Sequence, residues 1–343
     1  MLVLGIETTC DETACAVVQH GKKILSNVIA SQIDLHTQYG GVYPELACRR
    51  HFDLIIPIVD QALKEAHASP ADIDLISVAY GPGLIGALLL GVHAAKSLAL
   101  AWNKPFVGVN HVEAHLYAAW MGCEEPEFPA LGVVISGGHT FLVKMESIGQ
   151  YEVIGQTVDD AIGEAFDKVA VMLDLPYPGG PEIEKLARQG DPKRFPFKAG
   201  VVKGQPWNFS FSGLKTNVLY KVKGQNNDKK APSQIQEHDK PHIAASFQEA
   251  ALKDISTKAL AAAEQFDCKM IFLGGGVTNN LRLRELFQSS KIPVYWPLGG
   301  LSLDNAAMIA GLGYHVFQQK NYQGDSFDLE PKPRIPFRTL LSK

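Results

Sequence analysis

Two stretches of this chain follow one plan. Residues 2–7 form a short apolar run that ends in Thr8-Thr9-Cys10-Asp11-Glu12-Thr13, and residues 14–19 form a second apolar run. Residues 131–143, Leu-Gly-Val-Val-Ile-Ser-Gly-Gly-His-Thr-Phe-Leu-Val, repeat the design: the Leu-Gly opening of Leu4-Gly5, a strand, a turn of small residues and a returning strand. Each reads as a β-hairpin. A hairpin design used twice is an internal repeat, weak in identity but parallel in plan. It predicts duplicated domains whose turns aim inward across a cleft. Length agrees, because 343 residues are long for a single core.

The segments between the hairpins alternate helix and strand. Residues 51–67 place Phe52, Ile55, Ile56, Val59, Ala62, Leu63 and Ala66 at helical spacing. A strand over 73–80 is broken by Gly81-Pro82-Gly83 before a helix over 86–102, and a strand over 105–109 follows. Residues 31–41 read as a surface loop. Past the second hairpin, residues 158–173 read as a helix carrying Asp159, Asp160, Glu164, Asp167 and Lys168 on a polar, solvated side. Pro181 suits the first position of a helix over 181–189. Residues 195–213 are irregular, 221–240 read as a mobile charged insertion, and 242–266 as a long helix. A strand over 270–273 runs into three glycines, a helix follows over 279–288, and Asp304 opens the last one, ending near 317.

This order predicts an α/β protein with two ribonuclease-H-like domains, of the actin, chaperone-ATPase and sugar-kinase type, around a nucleotide cleft. The expected first domain is 1–108, completed by the helix 304–318. The second is 109–303 with an irregular insertion at about 195–240, and 323–343 is an extended basic tail.

Net charge is −4 with pI near 6.3, so no global basic bias announces nucleic acid and any RNA contact must be local. Five cysteines without metal-like spacing point to reduced thiols and a cytosol-like compartment. No basic segment followed by a hydrophobic signal opens the sequence. The apolar run 86–102 contains His93 and Lys96 and reads as a buried helix rather than a membrane span. The expected location is cytoplasmic.

The chemistry centres on Asn110-His111-Val112-Glu113-Ala114-His115, at the start of a helix after the strand 105–109. Residues four apart share a helical face, so His111 and His115 point the same way and can share one ion. Such ligands suit Zn2+ or Fe2+ with positions left for substrate. A zincin would place its general base directly after the first His. Glu113 is instead two residues on, turned by about 200° to the far side of the helix. Ser136-Gly137-Gly138-His139-Thr140 is either a tight hairpin turn or a cradle of N–H groups for an anionic oxygen. Gly274-Gly275-Gly276-Val277-Thr278-Asn279-Asn280 joins a buried strand to a helix and makes a surface for a base or phosphate, with Asn279 or Asn280 as the N-cap. It is neither a P-loop nor a dinucleotide fingerprint. Asp304 reads as helix cap, third metal ligand, or both. Glu7, Asp11 and Glu12 in the first turn are candidates for activating a nucleophile.

With these residues assembled, the chain resembles the TsaD family of tRNA N6-adenosine threonylcarbamoyltransferases, formerly called O-sialoglycoprotein endopeptidases. The resemblance runs from Leu2 to about Tyr314 through GIETTCDET (5–13), YGGVYPELACRRH (39–51), GPGLIGALLLG (81–91), NHVEAH (110–115), SGGHT (136–140), GEAFDKVA (163–170), YPGGP (177–181), FSFSGLKT (209–216), GGGVTNN (274–280) and DNAAMIA (304–310). It departs from the family pattern at Thr9, Cys48 and Ser302-Leu303, none a proposed ligand.

The resemblance implies the two-domain actin-like fold and a reaction. The threonylcarbamoyl group passes from threonylcarbamoyl-AMP to N6 of adenosine 37 in tRNAs reading codons that begin with A. It implies His111, His115 and Asp304 as ligands of a metal, iron in the family's usual assignment. It implies an adenylate site of Val134, Ile135, Ser136, Gly137, Gly138, Asp167, Gly180, Glu184 and Asn280, and the glycine reading adds Gly275 and Gly276. Glu12, with Asp11 beside it, is expected to orient or deprotonate the amine. Implied partners are tRNA, a TsaB-like actin-fold paralogue forming a heterodimer, a TsaE-like P-loop ATPase and a TsaC-like enzyme supplying the intermediate. The competing readings are a metallopeptidase, a sugar- or acetate-kinase-like phosphotransferase and a non-catalytic actin-like scaffold.

Overall fold

A computed structural model describes residues 1–224 and 234–335. They form two compact units. The first comprises Met1–Glu125, Ile148–Gln150 and the chain from Trp296, and the second comprises Pro126–Ser147 and Tyr151–Tyr295.

In the first unit β1 (Leu2–Glu7), β2 (Glu12–Gln19) and β3 (Lys23–Ser31) form an antiparallel meander, with β1 and β2 paired from Leu2↔Gln19 to Glu7↔Ala14. The short α1 (Ile33–Thr37) lies in the stretch expected to be loop. It is followed by α2 (Pro44–Glu65), β4 (Leu75–Gly81), α3 (Ile85–Trp102), β5 (Phe106–Asn110) and α4 (His111–Trp120). β4 joins β1 in parallel and β5 joins β4, giving the order β3-β2-β1-β4-β5. Parallel central strands are buried on both faces. Leu4, Ile6, Ile76, Val78 and Phe106 accordingly sit in one apolar core with Val92 of α3. The chain's last helix, Ala306–Gln319, lies so close that a side chain on Gly5 would meet Ala306 O at 2.2 Å.

The second unit repeats the scheme. It contains β6 (Ala130–Ile135), β7 (Thr140–Ser147), β8 (Gln150–Gln156), α5 (Ile162–Met172), α6 (Gly179–Ala187), α7 (Ser212–Lys223), α8 (Lys240–Gln265), β9 (Met270–Gly274), α9 (Leu281–Phe287) and β10 (Val294–Tyr295). The sheet order β8-β7-β6-β9-β10 matches the first sheet strand for strand. Again the hairpin pair is antiparallel and the later strands are parallel. The helix Ala306–Gln319 is α10.

Several expectations are corrected. The helix expected over 51–67 starts at Pro44, and its stripe is wider than its core contact, leaving Phe52 72% and Ile56 59% exposed. The helix expected over 158–173 starts at Ile162, because Asp159 and Asp160 are engaged before it. Asp159 accepts from Ser210, Phe211 and Ser212, and Asp160 from Lys168 and Lys215. Asp159 thus ties the FSFSG segment, and Asp160 bridges Lys168 of α5 to Lys215 of α7, rather than forming a solvated face. The first unit runs on to Glu125 rather than 108, since α4 packs against α10.

Residues 323–335 are extended but anchored: Asp325 N–H donates to Phe106 O at 2.7 Å, Lys332 N–H to Tyr80 O at 2.8 Å, and Leu329 packs on the core. The rest of the expected tail, 336–343, lies outside the described residues, as does the 225–233 part of the expected insertion. Among the described residues one helix, α3, is long and apolar enough to cross a membrane. It packs against β4 and α2, with Ala87, Leu88, Gly91, Val92, Ala95 and Ala99 buried.

Candidate functional site

The first unit gathers the histidines. β5 ends at Asn110, whose side-chain oxygen accepts Val112 N–H at 2.8 Å and so starts α4 at His111. One turn later comes His115, with ring centroids 4.7 Å apart. The third member is Asp304. Asn305, not Asp304, caps α10, its oxygen accepting Met308 N–H at 3.0 Å. That correction releases the Asp304 carboxylate. Its Oδ1 stands 3.2 Å from His115 Nε2 and 3.6 Å from His111 Nε2, and one ligand atom from each of the three residues lies within 4.8 Å of the others.

Buried Glu7, at the end of β1, accepts from His111 Nδ1 at 2.9 Å. A carboxylate behind a histidine fixes the tautomer that directs Nε2 forward, the usual outer support of a metal-binding imidazole. Burial alone would lower the His111 pKa, but the charges of Glu7 and Asp304 outweigh it and raise it to about 9. His115 is buried, its Nδ1 has no hydrogen-bond partner among the described residues, and its Nε2 has only the Asp304 carboxylate at 3.2 Å, an expensive arrangement for a polar ring. Two imidazole nitrogens and a carboxylate oxygen converging in this way fit a divalent cation of the Zn2+ or Fe2+ kind.

Glu113 is buried elsewhere. Burial alone lifts its carboxyl to about 8, and its charge is felt at the Tyr80 phenol. The peptidase reading therefore lacks its base at the His-His-Asp group.

The first hairpin turn holds the two carboxyls expected to handle the amine. Glu12 opens β2, is 8% exposed and accepts from Ser31 Oγ at 3.1 Å. Burial, then the charges of Asp304 and Asp11, push its carboxyl well above the usual range. Cys10 in the same turn is pushed up by burial and by Asp11, which keeps it a thiol. Three residues here went unnoticed in the sequence. His51 bridges Thr13 Oγ1 at 2.8 Å and Cys10 O at 3.0 Å. The Gln32 amide and His36 Nε2 are buried without a hydrogen-bond partner among the described residues. No local pattern marks them, because their neighbours are distant in sequence.

The second unit brings together the glycine turns. Parallel β6 and β9 end side by side, and Gly275, at φ +99°, approaches so closely that a Cβ would meet Ile135 O at 2.4 Å. Val134 and Ile135 are buried strand residues. Gly137 and Gly138 are exposed, with open space where side chains would stand. The start of α5 lies beneath the turn, Gly163 N–H donating to Ser136 O and Glu164 N–H to Gly137 O, each at 3.2 Å. One turn along α5, Asp167 accepts Gly179 N–H at 2.7 Å and so seats Gly180. Glu184 of α6 accepts Leu281 N–H at 3.1 Å, next to Asn280. Asn280 is the N-cap of α9, and its amide nitrogen donates to Gln248 at 2.8 Å. Open amides beside two strand ends form a surface on which a phosphate or adenosine can lie. Gln248, which shapes it, carried no signal in the sequence, and Gly163 entered there only as the first residue of the GEAFDKVA stretch.

The doubled β3-β2-β1-β4-β5 sheet defines an α/β protein of the ribonuclease-H-like class. HypF from T. kodakarensis superposes with a TM-score of 0.61 at 14% identity over 94% of this chain and 48% of that one. Component A of the (R)-2-hydroxyglutaryl-CoA dehydratase of Acidaminococcus fermentans gives 0.52 at 12% identity over 94% and 99%. Identities this low establish the fold alone. The family model of TsaD, tRNA N6-adenosine threonylcarbamoyltransferase, matches residues 23–311. The proteins of that name from Protochlamydia amoebophila and Chlamydia trachomatis serovar L2b are 63% and 52% identical, the first over 99% of both chains and the second over 94% of this one and 95% of its own. The chain belongs to the TsaD family of tRNA N6-adenosine threonylcarbamoyltransferases.

Proposed function

We propose that this protein transfers the threonylcarbamoyl group from threonylcarbamoyl-AMP to N6 of adenosine 37 in tRNAs reading codons that begin with A, releasing AMP. Family membership over nearly the full length carries the reading. His111, His115 and Asp304 would hold one divalent ion, Fe2+ in the first place and Zn2+ as the alternative. The convergence of His111 Nε2, His115 Nε2 and Asp304 Oδ1, with no other hydrogen bond to His115 among the described residues, supports this. When bound, the ion supplies Lewis-acid polarisation and a template for the threonylcarbamoyl group. Glu7 keeps His111 in the receptive tautomer.

In the second unit the amides of Gly137 and Gly138 would meet developing negative charge on phosphate or carbonyl oxygen, whereas the expected third amide, that of Ser136, is spent on His139 O at 2.9 Å and closes the turn. Asp167, Gly180, Glu184, Gly275, Gly276 and Asn280, with the strand end Val134-Ile135, would hold the adenylate. The N6 nitrogen attacks the carbamoyl carbon and forms the new C–N bond. The bond from that carbon to the phosphate oxygen breaks, AMP leaves with the electron pair, and the amine gives up a proton. Adenosine N6 is a poor nucleophile, so orientation contributes more than basicity. Glu12, with Asp11 beside it in the same turn, would offer a carboxyl oxygen to the amine N–H and so orient it.

A TsaB-like paralogue is the proposed partner, with TsaE-like and TsaC-like proteins completing a cytoplasmic pathway. Exposed apolar pairs four apart on α2 (Phe52, Ile56) and α3 (Ile85, Leu89), helices that pack together, support a docking face.

The test is complementation of a cell depleted of its own TsaD-family enzyme, with N6-threonylcarbamoyladenosine measured in bulk tRNA. Wild type should restore the nucleoside and His111→Ala should not. No restoration by wild type would sink the reaction, and full restoration by His111→Ala would sink the metal site.

A further inference from the structure

A chain of net charge −4 contains one stretch, residues 192–223, with seven Lys and Arg and no Asp or Glu. Lys215 is neutralised by Asp160. Lys193, Arg194, Lys198, Lys203 and Lys221 are exposed, and none makes an ion pair among the described residues. The strand of chain that carries them has neither helix nor sheet from 192 to 207, yet it is pinned. Asp191 N–H donates to His242 Nδ1 at 2.9 Å and Phe195 N–H to Ser246 Oγ at 3.2 Å, both at the start of α8. Gly200 N–H donates to Ser210 O at 3.0 Å. At the far end of α7, the Lys221 ammonium sits 5.0 Å above the ring of Phe195, which stacks on Phe197 at 5.9 Å. The exposed segment that carries four of the cations is therefore held in place, and the fifth, Lys221, meets it at the Phe195–Phe197 pair.

We propose that this ridge, Lys193 to Lys203 with Lys221, is a surface for the sugar-phosphate backbone of the substrate RNA. The assignment rests on the tRNA reading above. A polyanion with regular charge spacing is what an acid-free row of unpaired Lys and Arg recognises, and its binding is driven by counterion release. Stacked rings beside the cations suit unpaired bases of a loop better than an acidic protein face.

The experiment is the quadruple variant Lys193→Gln, Arg194→Gln, Lys198→Gln, Lys203→Gln in the full chain. Its affinity for unmodified tRNA is measured as a function of salt and compared with wild type and with a control, Lys64→Gln/Lys291→Gln. All four substitutions are on exposed side chains, and an unchanged melting temperature checks the fold. The salt dependence, log K against log salt, should flatten by about one for each phosphate contact removed, roughly four in all, equally for tRNAs of different sequence. KM for tRNA should rise with kcat held, and the control should keep the wild-type slope. The quadruple variant should restore less modified nucleoside than wild type in the complementation assay. Wild-type affinity and salt slope in the variant, with wild type forming the modified nucleoside, would overturn the ridge alone and leave it to an acidic protein. Wild type binding tRNA through the ridge but forming no modified nucleoside would overturn the reaction and not the ridge.

Discussion

Glu7 has no solvent exposure, and its carboxylate touches His111 Nδ1 and the amide of Thr9. Its neutral isostere should loosen the metal without unfolding the sheet. Glu7→Gln is expected to weaken metal affinity about 10–100-fold, read by chelator competition, with secondary structure retained. Wild-type affinity would mean that the carboxylate does not orient the ring. The raised His111 pKa has a consequence of definite sign. In the metal-free protein this imidazole keeps its proton up to about pH 9, and a metal must displace that proton. Apparent metal affinity should therefore fall about tenfold for each pH unit below that value. A flat titration between neutral and alkaline pH would contradict the shift. Of this centre, the His111–His115 spacing was legible in one helical turn. Glu7 was visible only as a carboxylate in a turn, because its partner is 104 residues away.

The elements show how a one-residue difference decides a role. Asp304 and Asn305 are equally good caps on composition. Only the helix register makes Asn305 the cap and leaves Asp304 for the histidines. Likewise the acidic run near 159–167 looked like one helical face. The start of α5 at Ile162 divides it into two tethers, Asp159 and Asp160, and a helical Asp167 that seats the Gly179 amide. Gly275 shows the glycine requirement directly, since its positive φ and its 2.4 Å approach to Ile135 O both exclude a side chain. Gly275→Ala should cost about 1–3 kcal/mol of stability and also weaken AMP binding, read by thermal melting and calorimetry. Retention of both would mean that the turn relaxes freely. Gly137→Ala, where the space is open, should leave the melting temperature near wild type.

At the scale of the whole molecule, the exposed Phe52 and Ile56 distinguish folding from assembly. They are large, apolar and on a helix whose other face is buried, so replacing them removes little of the core. Phe52→Glu/Ile56→Glu should leave the melting temperature and metal binding of the isolated chain close to wild type, while abolishing co-purification with the TsaB-like paralogue. Intact co-purification would move the partner face elsewhere. Periodicity could not separate these positions from Ile55 and Val59. A stripe of apolar residues reports that one side of a helix avoids water, not whether its own chain or another covers it.

What the sequence by itself determined is the architecture and the chemistry on offer. Two hairpins of one design predicted two sheets of one order, and the strand-turn patterns needed only local periodicity to be read. The motifs in their order identified the family. The tertiary structure alone decided which polar residues act together, which carboxylate caps and which faces a histidine, and which tail residues are anchored. Those outcomes depend on contacts between segments far apart in the chain, and on burial that sets whether a carboxyl or imidazole holds its proton. Neither is encoded in the spacing of neighbouring residues.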